Sequence, residues 1–299
     1  MPVVIGTRYY QGLDDKEGLS SLSLDAGIRM GQTWVPAYYY FLNAPAFDVD
    51  AHISMLKAFR DHALYLMAPQ HYKKGSNWSI MENNGLFHIG AYFPEFKAAA
   101  EWRRVALERL SFELDYQVYP DGAQIELTSG YHQVSLRNWV MTMRTAWRNG
   151  IDLPDDFKSR LERMYHYNLY VAFPDLLMPA VNDGGQTDIR FSMREGHEFF
   201  PEREDFLWAA SAGNEGSAPE GDSTAFPYAG HYVLRSGWDR DDPCLFFDGG
   251  PYGYGHQHED KLSIIVYAHG RTHIADPGNY QYDTTKWRAY MLGTRSHNT

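Results

Sequence analysis

Apolar residues in the first two thirds of the chain recur at the three- and four-residue spacing of an α-helix. The run from Glu95 to Tyr116 contains neither Gly nor Pro, and its apolar residues share one helix face: Phe96, Ala99, Ala106, Leu110 and Leu114. Similar patterns, separated by Gly, Asn and Pro turns, cover Ala51–Leu66, Ser135–Arg148 and Pro154–Val171. The spacing predicts an array of helical hairpins, as in bundles or toroids, without a fixed sequence repeat.

After about Gly221 the pattern changes to short β-favouring runs. His231–Arg235 and Cys244–Phe247 are two of them, and Lys261–His269 with Thr272–Ala275 predicts two strands joined by a tight turn. A Gly/Ser/Ala/Glu-rich segment precedes them and is typical of a linker. We therefore predict an α+β multidomain chain, with a helical domain over residues 1–210, a linker over 211–224 and the start of a β domain over 225–299. The chain looks truncated where a further strand could begin.

Composition places the 299-residue chain among globular proteins, since 15% of its residues are aromatic and disordered chains are poor in aromatics. Its net charge of −11 argues against a nucleic-acid-binding protein, which needs positive surface to neutralise phosphates. A single Cys excludes a disulfide framework. No apolar run approaches the ~20 residues that span a bilayer, so membrane insertion is not predicted. Residues 1–6 lack the basic start and apolar stretch of a signal peptide.

The densest polar cluster is the stretch GYGHQHEDK. In an extended segment His256, His258 and Asp260 would project to one side, and Asp276 and His297 follow later in the chain. Imidazoles with a carboxylate suit zinc, which takes three or four N, O or S ligands. The alternative is that these residues cap turns or form hydrogen bonds within a loop. The cluster alone leaves both interpretations open.

Two further clusters lie in the helical part. Tyr131 and His132 come where a loop should enter a helix, and Asn77 with Trp78 precedes the polar run from Glu82 to Gly85. Each has an ordinary structural interpretation as a turn, N-cap or core residue. The chain has no phosphate-binding loop G-x-x-x-x-G-K-[ST], no G-x-S-x-G and no H-E-x-x-H. Nucleotide-driven and serine-hydrolase chemistry are therefore disfavoured.

Taken in order, these clusters resemble the heparinase II/III-like polysaccharide lyases from about Leu24 to Thr299. No single stretch is specific, but the combination is. Because Asn77 is followed by Trp where alginate lyases of this superfamily tend to have His, the resemblance is closest to heparinase III. The matching stretches are SNWSIMENNGLFHIGAYFPEFKAAAEW, VYPDGAQIELTSGYHQ, GYGHQHEDKLSIIVYAHGRTHIADPGNYQY and SHNT.

The resemblance implies an incomplete (α/α) toroid followed by the beginning of an antiparallel β-sandwich. The family toroid normally begins before the equivalent of Met1 and its sandwich continues beyond Thr299. It also implies β-elimination at a uronic acid, which yields a 4,5-unsaturated sugar. Heparan sulfate, alginate, hyaluronan and other acidic polysaccharides remain open as substrates, and the oligomeric state is not predicted. The family implies a periplasmic or secreted location.

Site residues follow from the same resemblance. Asn77 with His256 would neutralise the uronate carboxylate, Tyr131 would be the acid or both acid and base, and His256 is the alternative base. A second tyrosine would be either Tyr282 or Tyr290. The expected substrate-binding residues are Trp78, Asn84, Glu126 and His132. Glu126 would also orient its neighbours.

A structural zinc ion is the expected cofactor. On the family pattern its ligands would be His258, Asp276 and His297, and it would pin the catalytic loop. Two other functions remain as alternatives. One is a glycan-binding relative without turnover, and the other is a zinc hydrolase that uses His256, His258 and Asp276.

Overall fold

The structure is a computed structural model that describes residues 19–299. The first 18 residues of the predicted helical domain, including those on which the signal-peptide prediction rests, lie outside the described residues. The chain forms two compact units. The first comprises Met1–Tyr116 and Arg137–Phe157, and the second comprises Gln117–Leu136 and Lys158–Thr299. Across residues 19–299 no helix is long and apolar enough to cross a membrane.

The first unit is helical, as the apolar spacing predicts. A π-helical segment, Arg29–Trp34, joins its first two helices, and the last helix of the list begins in the second unit. The helices are α1 Leu19–Ile28, α2 Val35–Phe41, α3 Val49–Met67, α4 Asn77–Tyr92, α5 Ala99–Gln117 and α6 Ser129–Arg148.

Two helix starts differ from the predicted ones by four residues or more. Helix α5 begins at Ala99 rather than near Glu95, because Phe96 lies in a turn and its carbonyl accepts a hydrogen bond from the Ala99 backbone. Helix α6 begins at Ser129, six residues before the predicted start at Ser135. Its first turn is polar, so the apolar spacing did not reveal it. That turn carries Tyr131, one of the candidate site residues.

Helices α1 and α4 pack at a close backbone crossing. A Cβ atom on Gly85 would lie 2.5 Å from the carbonyl oxygen of Gly27, so both positions need glycine. Helix α4 is buried almost along its whole length and carries buried polar side chains. Asn84 is fully buried; its amide donates to Asn138 Oδ1 at 3.0 Å, and its oxygen accepts from Thr142 Oγ1 at 2.9 Å. These bonds tie α4 to α6.

Asn84→Ala is expected to lower the free energy of unfolding by about 2–3 kcal/mol, because two buried hydrogen-bond partners lose their contacts. Urea denaturation measures the change. Asn149→Ala is the matched control, since this exposed asparagine bonds only the backbone of its own helix, and its expected effect is about 0.5 kcal/mol or less. Weakened glycan binding at unchanged stability would contradict the structural role.

The second unit contains helices and an antiparallel meander. Its helices are α7 Phe157–Val171, α8 Arg190–Phe199, α9 Glu204–Ala210 and α10 Lys286–Leu292. Two short strands, β1 Leu177–Met178 and β2 Thr187–Asp188, form a separate pair. The five strands of the sheet are β3 Thr224–Phe226, β4 His231–Arg235, β5 Cys244–Asp248, β6 Ile264–Ala268 and β7 Arg271–Ile274. They lie in this order, so each strand pairs with its neighbour in sequence.

The strands follow the period-2 burial expected of a sheet with one covered face. In β4 and β5 every second residue is buried, and Val233 pairs with Phe246 in register. The predicted tight turn between β6 and β7 is confirmed at His269-Gly270, both of which have positive φ. Cys244 is buried on β5, and burial raises the pKa of its thiol to about 11.

Candidate active site

Tyr131 and His256 meet in the second unit although 125 residues separate them in the sequence. Tyr131 lies in the first turn of α6, and His256 lies in the long loop between β5 and β6. The two rings stack with centroids 3.7 Å apart and planes 18° from parallel. His256 has φ +52°, a left-handed conformation that is uncommon for a non-glycine residue and often marks a functional site.

Glu126 fixes the orientation of the His256 imidazole. Its carboxylate Oε2 lies 2.6 Å from His256 Nδ1, so Nδ1 donates this hydrogen bond. Gln124 donates to the other carboxylate oxygen, and Gln257 donates to the Glu126 carbonyl. Glu126 is only 2% exposed, so its bond to His256 is shielded from water and holds the imidazole in place. The arrangement leaves Nε2 as the imidazole nitrogen that can accept or deliver a proton.

Tyr282 is the second tyrosine of the site. Its hydroxyl lies 2.8 Å from that of Tyr131, and its ring centroid lies 6.0 Å from that of His256. The Tyr290 hydroxyl instead donates to the carbonyl of Arg295 at 3.5 Å. The geometry therefore pairs Tyr282, of the two candidates, with Tyr131.

Both paired phenols hold their protons at neutral pH. Burial raises the pKa of Tyr131, against an opposing effect of the hydrogen bond from Tyr282. Burial also raises the pKa of Tyr282, and the Tyr131 hydroxyl adds to that shift. Each phenol is thus a proton donor in the resting protein, and either becomes a base only after giving up its proton.

A buried ionic cluster lies next to Tyr282, whose ring centroid is 5.1 Å from the Arg288 guanidinium. Asp183 accepts from His258 Nε2 at 2.9 Å and from both terminal nitrogens of Arg288, at 2.5 and 2.8 Å. Burial alone would raise the pKa of Asp183, but the hydrogen bonds from His258 and Arg288 lower it to about 2. Asp183 is therefore an anion under all ordinary conditions.

The three predicted zinc ligands lie in this part of the second unit. The His258 and His297 rings are 5.3 Å apart, and His297 Nδ1 is 2.6 Å from Asp276 Oδ2. The nitrogens His258 Nδ1 and His297 Nε2 are buried and have no hydrogen-bond partner among the described residues. In the described part of the chain, no group of three or more His, Cys, Asp and Glu side chains is arranged to hold a metal ion.

The remaining predicted site residues belong to the first unit or are buried in the second. Asn77 and Trp78 open α4 in the first unit, where Ser76 caps the helix and Lys73 Nζ lies 4.0 Å from the Trp78 ring centroid. Asn84 lies in the core of the same unit. His132 is buried in the second unit, 3.3 Å from the Met164 carbonyl, and burial lowers its pKa to about 4. Contact of these residues with substrate stays a prediction.

Sequence reasoning missed Asn182, Asp183 and Arg288. The run Asn182-Asp183-Gly184-Gly185 has the composition of a turn, and Arg288 is one of many arginines that could lie at the surface. No local spacing links residue 183 to residue 288. The sequence therefore holds no signal that singles out Asp183 as a site residue.

Comparison with known proteins places these residues in a family. A sequence model described as Heparinase II/III N-terminus matches residues 12–208, more than half of the chain. The chain belongs to the heparinase II/III family. A second model of this family, described as Heparinase II/III-like, C-terminal, matches residues 218–299. The predicted family membership is confirmed.

Curated relatives within the family include two heparin-sulfate lyases. The protein from Pedobacter heparinus is 29% identical over 277 residues, which cover 90% of this chain and 42% of the relative. The protein from Bacteroides stercoris is 27% identical over 271 residues, which cover 88% of this chain and 40% of the relative. The chain therefore spans about two fifths of the length of these relatives.

Solved structures of the family match the fold. A crystal structure of heparinase III has a TM-score of 0.85 at 27% identity and covers 93% of this chain and 46% of its own. Heparan sulfate lyase HepC from Pedobacter heparinus has a TM-score of 0.77 at 28% identity, covering 93% and 44%. These matches confirm the predicted α+β class, a helical part of the toroid type followed by an antiparallel sheet. The second layer of a β-sandwich stays a prediction.

Proposed function

We propose that the protein is a polysaccharide lyase that cleaves a uronic-acid-containing glycan by β-elimination. The observation that carries the proposal is the cluster of Tyr131, His256 and Tyr282, which places two phenols and one oriented imidazole within contact of one another. Heparan sulfate is the first substrate to test, because the curated relatives are heparin-sulfate lyases. A periplasmic or secreted location is part of the same proposal.

The elimination needs one proton removed and one delivered. A base takes the C5 proton, the electron pair of that bond forms the C4–C5 double bond, and the C4–O4 bond breaks. The leaving O4 then receives a proton from an acid. The Tyr131 phenol is the proposed acid and His256 Nε2 the proposed base. Where the sugar presents C5 and O4 on the same side, Tyr131 would serve both roles: it would first give its own proton to His256 Nε2, then take the C5 proton and pass that proton to O4.

The carboxylate beside C5 must also be neutralised, because its negative charge makes the C5 proton barely acidic. Asn77 and His256 are the residues proposed for this task on the family pattern. Glu126 supports a charged imidazole, since its buried carboxylate accepts from Nδ1. Protonated His256 would serve as this clamp and could not then be the base. The stereochemistry of the accepted uronic acid therefore decides which role His256 takes.

The test is ultraviolet absorbance of the unsaturated product during incubation with heparan sulfate, heparin, hyaluronan and alginate, followed by mass spectrometry of the fragments. A lyase gives unsaturated ends without added water, whereas a hydrolase gives saturated ends with the mass of one water more. Binding without any fragment would favour the glycan-binding alternative. Fragments that carry an added water would favour the zinc hydrolase.

A structural zinc ion is a second proposal, and the chemistry of the residues present fits it. The Asp183 carboxylate accepts from one ring nitrogen of His258 and Asp276 from one of His297, so the other nitrogen of each ring carries the lone pair that a metal requires. Those are the two buried nitrogens without partners. His258 and His297 would hold the ion through these nitrogens, and the ion would stabilise the loop that carries His256. Asp276, the predicted third ligand, accepts from the opposite nitrogen of His297 in the structure, so it would reach the ion only after that hydrogen bond breaks.

Removal of the metal by a chelator is expected to lower the melting temperature by roughly 5 °C or more. Atomic spectroscopy of the purified protein should find bound zinc, and His297→Ala should lose it. His269→Ala is the matched control, because this histidine is exposed on the turn between β6 and β7. Full zinc content in His297→Ala, or an unchanged melting temperature after chelation, would contradict the proposal.

A further inference from the structure

The turn Asn182–Gly185 touches the segments that carry the candidate site, and we call it the assembly turn. The side chain of Asn182 donates to the Leu127 carbonyl at 2.9 Å and accepts from the His258 backbone at 2.8 Å. The backbone N–H of Asp183 donates to the His256 carbonyl at 3.1 Å. One turn therefore fixes both the loop before Tyr131 and the loop of the two histidines.

The glycines of the assembly turn reach two more segments. Ser129 Oγ, in the first turn of α6, donates to the Gly185 carbonyl at 3.2 Å. The backbone N–H of Asn279 donates to the Gly184 carbonyl at 3.0 Å. A Cβ atom on Gly278, which has φ +59°, would collide with that same carbonyl. The backbone therefore approaches too closely for any larger residue at Gly278.

Asp183 links the assembly turn to Tyr282 through Arg288. The Arg288 guanidinium binds both Asp183 oxygens, donates to Asn279 Oδ1 at 3.0 Å and lies 5.1 Å from the Tyr282 ring centroid. The positive guanidinium of Arg288 and the face of the Tyr282 ring attract each other. The bidentate pair with Asp183 holds the guanidinium in one orientation. The Asp183 side chain is 1% exposed and that of Arg288 is 12% exposed, so both are shielded from water.

We propose that Asp183 and Arg288 are positioning residues that hold Tyr282 with its hydroxyl on Tyr131. The inference rests on the proposed lyase function for its kinetic consequences but not for its geometric ones. Arg288 donates three hydrogen bonds to Asp183 and Asn279, which engage both of its terminal nitrogens within the protein, as a positioning role requires. An arginine that binds an anionic sugar would instead direct such donors to the substrate. The two roles predict different kinetics, because a positioning residue acts on kcat and a substrate-binding residue acts on KM.

The first experiment reads the position of Tyr282 without any reaction. 3-Fluorotyrosine is incorporated at position 282, and its fluorine resonance is recorded in the parent protein, in Arg288→Ala and in Asp183→Asn. The resonance should move toward the solvent value in both variants, and millimolar methylguanidinium should restore it in Arg288→Ala only. A resonance that stays in place in both variants would overturn the proposal.

The second experiment measures turnover. Arg288→Ala should lower kcat by about 10²-fold, since a misplacement of about 1 Å costs that much, with KM changed less than twofold. Methylguanidinium should recover part of the loss, but not in Asp183→Asn/Arg288→Ala, where the anion that binds it is gone. Arg288→Lys should fall between, because it keeps the charge and loses the bidentate geometry. A rise in KM at unchanged kcat would overturn the positioning role.

Controls separate these outcomes from misfolding and from failure of the proposed function. Arg104→Ala removes an exposed arginine that pairs with Glu101 and Glu108 on its own helix, and it should leave the fluorine resonance and kcat unchanged. Circular dichroism and melting curves identify any variant that does not fold. If the parent protein forms no unsaturated product, the lyase proposal fails, whereas the fluorine experiment still decides the position of Tyr282.

Discussion

Tyr131→Phe should lower kcat for unsaturated-product formation by about 10²–10⁴-fold, the usual contribution of a positioned general acid. The substitution removes one hydroxyl and leaves the ring stacked on His256. Glycan affinity should change by no more than about threefold, because the lost hydroxyl bonds Tyr282 rather than an element of the backbone. Stopped-assay kinetics and calorimetric titration of the same variant measure the two quantities.

Tyr228→Phe is the matched control for this prediction. Tyr228 is 56% exposed and its backbone, not its hydroxyl, makes the bond to Asp121. It should retain full turnover. Parallel loss of binding and turnover in Tyr131→Phe would instead assign the tyrosine to substrate binding or to folding. A comparison of Tyr282→Phe with Tyr290→Phe would show which second tyrosine contributes, and the geometry favours Tyr282.

Acid is expected to destabilise the protein progressively below pH 6.5, because three buried histidines resist protonation in the folded state. Burial lowers the pKa of His88, His132 and His231 from 6.5 to about 4, so the folded protein keeps them neutral. Below pH 6.5 these histidines become protonated in the unfolded chain but stay neutral in the folded protein. Their contribution to stability is complete above pH 6.5 and is lost progressively as the pH falls to about 4. Each histidine contributes on the order of 3 kcal/mol.

This loss is large beside a total stability of about 5–15 kcal/mol, so cooperative unfolding should set in between about pH 6 and pH 4. Glu82 opposes the trend, because burial raises its pKa and its protonation relieves a buried charge. Urea denaturation at several pH values measures the slope. His132→Gln should flatten it, whereas His273→Gln, at an exposed position, should not. A stability that is constant from pH 7 to pH 4 would contradict the prediction.

Periodicity predicted the regular elements because each depends on local burial. The spacing of Leu110 and Leu114 in α5 and the alternation in β4 both report one covered face. The first residue of a helix was harder to predict where the chain is polar. The first turn of α6 has little apolar content, so the pattern began at Ser135 although the helix begins at Ser129.

In the candidate site, only the residues that belong to recognisable motifs could be predicted from the sequence. Tyr131 and His256 came from the family resemblance, and the structure stacks their rings. The choice between Tyr282 and Tyr290 could not be made from spacing, because the connecting segment has no regular period. Asp183 was hidden in a turn, since its partners are 75 and 105 residues away in sequence. Long-range ion pairs leave no mark on local composition.

The buried thiol of Cys244 has a practical consequence for spectroscopy. It is the chain's only cysteine, it is 1% exposed, and a pKa near 11 leaves almost none of it as the reactive thiolate at neutral pH. Maleimide dyes and thiol-reactive spin labels should therefore not react with the unaltered protein. A cysteine introduced at an exposed loop position such as Tyr254 would then be the single attachment point, and fluorescence could follow the His256 loop as glycan binds.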